Sequence, residues 1–258
     1  MTAAARWADL KVRVASAAVL IVVGLGGIYL GGNFFRIGLI AIVAAMIWEL
    51  AGLTAAPTDP ARLILAAVAA LCLWFPAALP PYGGSLLLLP PLGFLVTPRG
   101  DRLVLAAYAM ALMGAGAGFL DLRGHGAGVF VWLVAVIVAS DTMGYFAGRL
   151  IGGPKFWPRV SPKKTWSGTV AGWFGAGVVG VVFAAAGVVP WAYGLLSPLI
   201  ALAGQMGDIV ESWIKRRAGA KDSSRLIPGH GGVMDRFDAL VGAVLALQAL
   251  GLVLAGPV

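Results

Sequence analysis

Charged residues are scarce in this chain. Lysine, arginine, aspartate and glutamate together supply 12% of its 258 residues, whereas they supply about 25% of a typical soluble domain. Hydrophobic residues make up 60% of the chain, and the mean hydropathy is +0.92. This composition excludes an ordinary soluble domain and predicts a polytopic, all-α integral membrane protein.

Cysteine is almost absent as well. Cys72 is the only cysteine and lies inside an apolar run, so one chain can form neither a disulfide framework nor a cysteine metal site. The sequence shows no internal repeat and no low-complexity linker, which predicts one integral membrane domain over residues 1–258. Within it, residues 1–130 are generic apolar helices, and residues 131–258 carry the polar motifs and cytoplasmic loops in which chemistry is expected.

Nine apolar runs are long enough to cross a hydrocarbon core of roughly 30 Å. The run 85–97 is the weakest, because it is short and contains Pro90 and Pro91, so we expect a broken or tilted segment. The first run is longer than a signal-peptide core of about 7 to 15 residues, which favours an uncleaved helix. The predicted spans are 14–32, 37–53, 63–79, 85–97, 103–120, 128–150, 168–189, 192–211 and 239–256.

The distribution of lysine and arginine predicts an orientation for these spans. With the N-terminus in the cytoplasm, every cation except Arg36 and Arg123 falls in an inner segment, as the positive-inside rule requires. The loops 149–167 and 212–238 then share the cytoplasmic face of a bacterial-type inner membrane. The net charge of +8 therefore indicates loops that lie against anionic lipid head groups, and we expect no nucleic-acid partner.

Polar residues concentrate in one stretch near the C-terminus. Residues 208–238 contain five of the eleven carboxylates and six of the nineteen cations. This stretch resembles, nearly residue for residue, the motif of the phosphatidate cytidylyltransferases (CDP-diacylglycerol synthases), and a match so long and so charged is a specific signal. SDTMGYFAGR (140–149) and SPKKTWSG (161–168) resemble the upstream motif of that family, which often has an acidic or amide residue in place of Ser167. The matching C-terminal positions are Ser212, Lys215, Arg216, Lys221, Asp222, Pro228, His230, Gly231, Gly232, Asp235, Arg236 and Asp238.

Asp141 lies within an otherwise apolar span. A carboxylate near the centre of a spanning helix costs about 2.5 to 3.5 kcal/mol on insertion scales, so it is expected to face protein or water. Helical spacing places Asp141 on one face with Gly144, Tyr145 and Gly148. Such a face is typical either of small-residue helix packing, with Asp141 hydrogen-bonded to a neighbouring helix, or of a functional site. The resemblance favours the functional site.

A second polar stripe lies at the inner end of the eighth span. Asp208, Glu211, Ser212 and Lys215 are spaced so that they share one helix face. The alternative is a plain ion pair between Glu211 and Lys215, which would be worth about 0.2 to 0.5 kcal/mol. That alternative accounts partly for Glu211 and poorly for Asp208, which lies deeper in the span.

Asp235 and Asp238 precede the last span. Acids at this place commonly cap a helix and complement its dipole. Two carboxylates one helical turn apart, together with Asp208, are also the hard oxygen ligands that Mg²⁺ prefers when it binds substrate phosphates. The pair is therefore compatible with capping and with a metal site, and the neighbouring motif residues favour the metal site.

The cations of the two loops have two interpretations. For Arg217 and Arg225 we favour a role in orientation alone, whereas the other cations coincide with motif positions and suit a triphosphate. His230 is compatible with a plain turn, but its flanking glycines let backbone N–H groups approach a phosphate. Glu49 is compatible with the site or with a packing hydrogen bond, and His125 has no partner that the sequence reveals.

The resemblance implies transfer of the cytidylyl group of CTP to phosphatidate, which gives CDP-diacylglycerol and pyrophosphate. The attacking lipid phosphate carries most of its charge at pH 7, because its second pKa is about 6, so no general base is needed. The absence of a Ser/His/Asp or Cys/His arrangement in the sequence agrees with this. Catalysis would consist of positioning and electrostatics, with lysine or arginine groups and Mg²⁺, alone or with a second cation, offsetting the repulsion between two anions.

The polar patterns and the resemblance together assign roles to individual residues. The predicted metal ligands are Asp208, Asp235 and Asp238, with Asp141 as a further ligand or a neighbour of the ligands. The predicted catalytic residues are Asp141, Lys164, Lys215, Lys221, Asp222, His230 and Arg236. The predicted substrate-binding residues are Ser161, Lys163, Lys164, Thr165, Ser212, Lys215, Arg216, Lys221, His230, Gly231 and Gly232.

Two other functions stay open on the sequence alone. Intramembrane carboxylates and glycine-broken helices are also typical of transporters, although a transporter does not explain the density of phosphate-suited groups in one loop. A CTP-dependent transferase acting on another membrane lipid is equally compatible with apolar helices. The expected partners are CTP, phosphatidate and membrane lipids, and the sequence leaves open whether the protein is a homodimer.

Overall fold

Apolar runs form helices in the computed structural model of this protein, because a helix satisfies its own backbone hydrogen bonds where no water is available. The structure describes residues 3–56, 58–75, 82–158 and 160–251. The helices and strands of this part are α1 (Ala3–Leu30), α2 (Gly32–Gly52), α3 (Ala61–Trp74), a 3₁₀ helix (Tyr82–Leu88), α4 (Leu89–Val96), α5 (Arg102–Gly124), α6 (Ala127–Leu150), β1 (Lys155–Trp157), β2 (Ser161–Thr165), α7 (Trp166–Ala185), α8 (Trp191–Arg217) and α9 (Met234–Ala249).

Five helices of the described residues are long and apolar enough to cross a membrane, namely α2, α5, α6, α7 and α8. The predicted helical membrane architecture is confirmed at this level. The count of nine spans and the cytoplasmic N-terminus stay predictions, since α3 has 14 residues and α9 has 16, fewer than the about 20 of a typical span. The end of the predicted run 239–256 lies outside the described residues.

The weak run 85–97 is interrupted, as its prolines predict. The chain follows the 3₁₀ helix to Leu88 and continues as the eight-residue helix α4. Pro90 and Pro91 lie in the first turn of α4, where a missing backbone N–H costs little. Both prolines are buried, so the break in the helix is part of the packed structure.

The chain divides into two compact units. Unit 1 consists of Met1–Gly116 and Arg217–Arg236, and unit 2 consists of Ala117–Arg216 and Phe237–Val258. The polar stripe of α8 thus belongs to unit 2, and the loop that follows α8 belongs to unit 1. The assignment of residues 1–258 to a single integral domain stays a prediction.

Unit 1 has an apolar core formed by α2, α3 and α4. Leu73 and Phe94 are fully buried within it. The guanidinium group of Arg62 lies 4.0 Å from the centre of the Trp48 ring, a cation–π contact that helps to accommodate a largely buried cation. This core fixes the C-terminal end of α2, where Glu49 is located.

In unit 2, glycines bring α6 and α7 into backbone contact. A Cβ atom on Gly168 would lie 2.5 Å from the carbonyl oxygen of Gly144, and one on Gly172 would lie 2.8 Å from Ser140 Oγ. Close helix approach of this kind requires small residues, as in many membrane proteins. The glycines on the face of Asp141 therefore serve helix packing, which was one of the two interpretations of that face.

Gln205 of α8 joins this helix pair through hydrogen bonds. Its Nε2 donates to Ser140 Oγ at 3.2 Å, and Trp173 Nε1 donates to its Oε1 at 3.0 Å. Polar side chains inside an apolar bundle need such partners, since an unsatisfied amide would be costly there. The three helices α6, α7 and α8 are thus linked by polar as well as apolar contacts.

Small residues also bring α8 and α9 together. A Cβ atom on Gly242 would lie 3.0 Å from the Cα atom of Gly207, and one on Gly204 would lie 3.1 Å from the carbonyl oxygen of Ala239. The two backbones therefore touch along a seam of small residues in the second and third turns of α9. Their approach sets the distance between the acidic residues that the two helices carry.

Gly242→Ala is expected to lower the apparent melting temperature of the protein. The new methyl group would overlap the carbonyl oxygen of Ala203 and the backbone of Gly207, and overpacking of this kind costs about 1 to 3 kcal/mol. Thermal unfolding in detergent, followed by tryptophan fluorescence, measures the effect. Gly177→Ala is the matched control, because its Cβ atom would make an ordinary contact at 3.4 Å with Pro198. Equal melting temperatures of the two variants would contradict the tight seam.

A small antiparallel hairpin, formed by β1 and β2, lies between α6 and α7, where the sequence predicts a loop. Within the described residues, this hairpin differs from the predicted all-α fold. Thr165 ends β2 and caps α7, since its Oγ1 accepts a hydrogen bond from the Gly168 backbone N–H at 3.2 Å. Lys163 and Lys164 come directly before this cap. Their positions are therefore fixed relative to the start of α7.

Candidate functional site

Three carboxylates meet in unit 2 where α8 and α9 approach each other. Asp208 and Glu211 come from α8 and Asp238 comes from α9, and each offers an oxygen within 4.8 Å of the other two. The sequence predicts Asp208 and Asp238 as neighbours, and the structure brings them together. Glu211 was missed as their third member, although its position one turn after Asp208 was a signal for it.

Two lysines neutralise part of this negative charge. Lys164 Nζ lies 2.5 Å from Asp208 Oδ2, and Lys215 Nζ lies 2.5 Å from Glu211 Oε2. Ser212 Oγ donates a hydrogen bond to Asp208 Oδ1 at 3.3 Å. The ion pair of Glu211 and Lys215 is thus present and buried, and it is more than a surface pair because each group compensates the charge of a desolvated partner.

Asp141 lines a cavity of about 510 Å³ within unit 2. Arg149, Lys163 and Lys164 line the same cavity, and the charges of Lys164 and Asp208 act on the Asp141 carboxyl group. The cavity therefore combines one carboxylate with three cations. This balance of charge suits an anionic ligand such as a phosphate group.

The cluster carries more negative charge than its lysines compensate. Burial raises the pKa of Asp238 to about 7, the charge of Asp208 raises it in the same direction, and the Ala239 backbone N–H and Lys215 partly oppose the shift. Carboxylate oxygens from two helices are the ligands that a hard divalent cation takes. The donor set of Asp208, Glu211 and Asp238 therefore fits Mg²⁺.

Asp235 forms hydrogen bonds with other residues of unit 1. Its Oδ2 accepts hydrogen bonds from the backbone N–H groups of Gly232 at 2.7 Å and Ser223 at 3.0 Å, and from Ser223 Oγ at 3.0 Å. These contacts tie the start of α9 to the preceding loop, as a capping carboxylate does. The assignment of Asp235 as a metal ligand stays a prediction.

His230 and Arg236 are connected through the same loop. Arg236 donates to the carbonyl oxygen of His230 from Nη2 at 2.6 Å and from Nε at 3.1 Å, while His230 Nδ1 lies 2.8 Å from Ser16 Oγ. Gly231 has a φ angle of +85°, which a side chain would disfavour. The loop around His230 therefore has a defined conformation, and Arg236, a predicted catalytic residue, helps to hold it.

Other predicted residues of the two loops differ in exposure. The exposed residues are Lys163, Arg216, Lys221 and Asp222. Ser161 is partly buried in β2, and Thr165 is buried as the cap of α7. Ser167, where the sequence departs from the motif it resembles, donates to the carbonyl oxygen of Gly152 at 2.5 Å, so it helps to fix the hairpin.

Arg217 has a structural partner in unit 1. Its Nη2 donates to Asp101 Oδ1 at 2.6 Å and its Nε donates to Oδ2 at 3.1 Å, and this hydrogen-bonded guanidinium lowers the pKa of Asp101. The geometry is the bidentate arrangement that arginine favours with carboxylates. It agrees with the interpretation that Arg217 is not a substrate-binding residue.

A model of the cytidylyltransferase family matches residues 11–254 of the sequence. This chain belongs to the cytidylyltransferase family. The match includes the carboxylate cluster and the hairpin of unit 2 and the Asp235 loop of unit 1, and it also covers most of the N-terminal helices, for which the sequence motifs gave no family signal.

Curated relatives of this cytidylyltransferase family chain are named phosphatidate cytidylyltransferase. The protein of Brucella abortus is 47% identical over 129 residues, which cover 49% of this chain and 48% of the relative. The protein of Helicobacter pylori is 42% identical over 142 residues, covering 52% and 53%, and that of Mycobacterium leprae is 40% identical over 167 residues, covering 63% and 53%. The chain spans about half the length of the curated relatives it matches.

Proposed function

We propose that this chain transfers the cytidylyl group of CTP to phosphatidate, which yields CDP-diacylglycerol and pyrophosphate for phospholipid biosynthesis. One observation carries the proposal. In a helical membrane chain of the cytidylyltransferase family, Asp208, Glu211 and Asp238 converge beside Lys164 and Lys215. Carboxylates for a hard cation and ammonium groups for phosphates are the two sets of groups that a nucleoside triphosphate requires.

The residues of unit 2 suit a reaction between two anions. The lipid phosphate supplies its own negative charge at pH 7, because its second pKa is about 6, so the site needs no general base. Lys163 and Lys164 would bind phosphate oxygens in the cavity and stabilise the charge that develops on the leaving pyrophosphate. Asp208 holds the Lys164 ammonium group, which lines this cavity.

The carboxylates complete this arrangement. Asp208, Glu211 and Asp238 would hold Mg²⁺, with Asp141 as a neighbour in the cavity. When bound, Mg²⁺ neutralises triphosphate charge and orients the leaving group. The sequence motif is the support for three further parts of the hypothesis. They are Asp235 as a further ligand, a second cation, and the participation of Lys221, Asp222, His230 and Arg236.

The proposal locates the active site on the cytoplasmic face of a bacterial inner membrane. The acyl chains of phosphatidate stay in the bilayer and CTP is soluble in the cytoplasm, so their reaction needs a site at the interface. The cation distribution along the sequence supports an N-terminus on that side. The polar ends of α8 and α9 carry the charged groups that an interfacial site of this kind requires.

Purified protein is expected to release pyrophosphate and form a CDP-lipid only when CTP, phosphatidate and Mg²⁺ are all present. Phosphatidate supplies the nucleophile and Mg²⁺ offsets the charge of the triphosphate, so neither CTP with Mg²⁺ nor CTP with lipid should react. A coupled pyrophosphate assay in nanodiscs, with mass spectrometry of the lipid product, measures both products.

The same assay separates the alternatives. Product formation with a polyprenyl alcohol or an ether lipid in place of phosphatidate would show a transferase for another lipid. Absence of turnover, with facilitated solute flux in proteoliposomes, would show a transporter. Hydrolysis of CTP without lipid would contradict transfer to a lipid acceptor.

A further inference from the structure

Glu49 of α2 is completely buried in unit 1. Its Oε1 accepts hydrogen bonds from Ser224 Oγ at 2.6 Å and the Val233 backbone N–H at 2.8 Å. Its Oε2 accepts from the Met234 backbone N–H at 2.7 Å and lies 3.2 Å from Ser223 Oγ, whose single proton it shares with Asp235 Oδ2. A single carboxylate thus contacts four groups that lie far away in the sequence, three of which donate to it alone.

These donors stand at both ends of the segment 223–234, which we call the motif loop. Glu49 therefore connects the two ends of the motif loop through its hydrogen bonds. A Cβ atom on Gly232 would lie 2.5 Å from Glu49 Oε1, so the carboxylate reaches its partners only because this position is glycine. His230, Gly231 and Gly232, which are predicted substrate-binding residues, all lie within the loop.

We propose that Glu49 is a positioning residue, which holds the motif loop in the conformation that binds the phosphates of CTP. This inference rests on the proposed function. The backbone N–H groups of Val233 and Met234 are fixed by the start of α9 and cannot turn to another acceptor. A packing hydrogen bond would need one partner, whereas Glu49 joins α2 to both ends of a loop.

Glu49→Gln is the decisive variant because it keeps the size of the side chain and exchanges one acceptor oxygen for an NH₂ donor. Whichever way the amide turns, it directs a donor at the N–H of Val233 or Met234. We expect hydrogen exchange in peptides covering 223–234 to become faster, and the KM for CTP to rise about tenfold or more, since hydrogen bonds to charged groups carry effects of this size. A smaller folded fraction would lower the apparent kcat and leave KM unchanged.

Asp59→Asn is the matched control in the same unit. Asp59 binds Arg99 at 2.9 Å and accepts from the Ala61 backbone N–H at 2.9 Å, so its loss should speed exchange near Ala61 and leave the motif loop and the KM unchanged. Ser224→Ala removes one donor to Glu49 and keeps the carboxylate. It should raise the KM for CTP about two- to tenfold, and it tests the inference if Glu49→Gln does not fold.

Three results would overturn the inference. They are unchanged exchange of the motif loop in Glu49→Gln, faster exchange with an unchanged KM, or an equal response of the Asp59→Asn control. A wild-type protein that does not use CTP would instead reject the proposed function. The exchange measurement would then still decide whether Glu49 orders the loop, because it does not depend on turnover.

Discussion

Asp238→Asn is expected to reduce cytidylyl transfer by at least about a hundredfold, the size of effect seen when one preorganised electrostatic group is removed from an active site. The amide retains an oxygen for the Ala239 backbone N–H, which now binds Asp238 Oδ1 at 2.8 Å, but it loses the charge that a cation requires. Asp238 lies in the second turn of α9, which begins at Met234, so the change removes no helix cap. Pyrophosphate release over a series of Mg²⁺ concentrations measures the loss.

Asp121→Asn is the matched control for this variant. Asp121 is an exposed carboxylate of α5 beside His125, and its replacement should leave transfer unchanged. In metal-free buffer Asp238→Asn should also melt at least as high as the wild type, because it removes one of three carboxylates that lie within 4.8 Å of one another. Near-wild-type turnover of Asp238→Asn would contradict the role of this side chain as a cation ligand.

Lys164→Ala is expected to lower transfer about ten- to a hundredfold, the effect of losing one charge-assisted contact to phosphate. Its ammonium group lies at Asp208 and lines the cavity with Asp141, so its removal leaves both carboxylates uncompensated. The effect on stability should be small, about 1 kcal/mol or less, because the pair with Asp208 is partly exposed and screened by solvent. Initial rates at saturating and limiting CTP, together with thermal unfolding, measure the two effects.

Lys155→Ala provides the comparison within the same hairpin. Lys155 is an exposed cation of β1 and is not a motif position, so its removal should change neither rate nor melting temperature appreciably. Lys164→Arg keeps a positive charge at the site and should retain more activity than Lys164→Ala. Equal rates for Lys155→Ala and Lys164→Ala would mean that the hairpin cations act only in membrane orientation.

The helical architecture could be predicted because hydropathy depends on composition and run length, which the sequence displays directly. The lengths of individual helices could not, since they depend on tertiary contacts. Pro90 and Pro91 show the difference: their presence predicts a break, but not the 3₁₀ helix that precedes them. The hairpin before α7 was missed because SPKKT has no strong strand pattern, and its pairing depends on a partner strand only a few residues long.

The site was predictable where residues share one helix. Spacing along α8 identified Asp208, Ser212 and Lys215. For Glu211 the same spacing was partly explained by an ion pair with Lys215, so the position of Glu211 beside Asp238 was not predicted. The binding partners of Glu49 could not be predicted. Glu49 binds backbone N–H groups of residues more than 170 positions away. Nearly every residue type has a backbone N–H group, so the sequence does not reveal which ones bind a side chain.

Spacing also failed to distinguish Asp235 from Asp238. The two lie one turn apart and have the same side chain, so a pattern assigns them the same role. Their environments differ. Asp235 accepts hydrogen bonds from the backbone N–H groups of Gly232 and Ser223, whereas Asp238 is partly buried beside the Asp208 charge. The conformation of the intervening loop decides this, and glycine-rich loops carry little periodic information.

The polar end of α8 also has a consequence for the biosynthesis of the protein. Among the five candidate spans, α8 has the lowest mean hydropathy, 1.2 against 1.7 to 2.0 for the others, so it partitions into lipid least readily as a single segment. A Cβ atom on Gly194 would lie 2.8 Å from the carbonyl oxygen of Gly180, so α8 fits closely against the preceding helix, to which a short turn connects it. We therefore expect α8 to enter the membrane together with α7, as a helical hairpin.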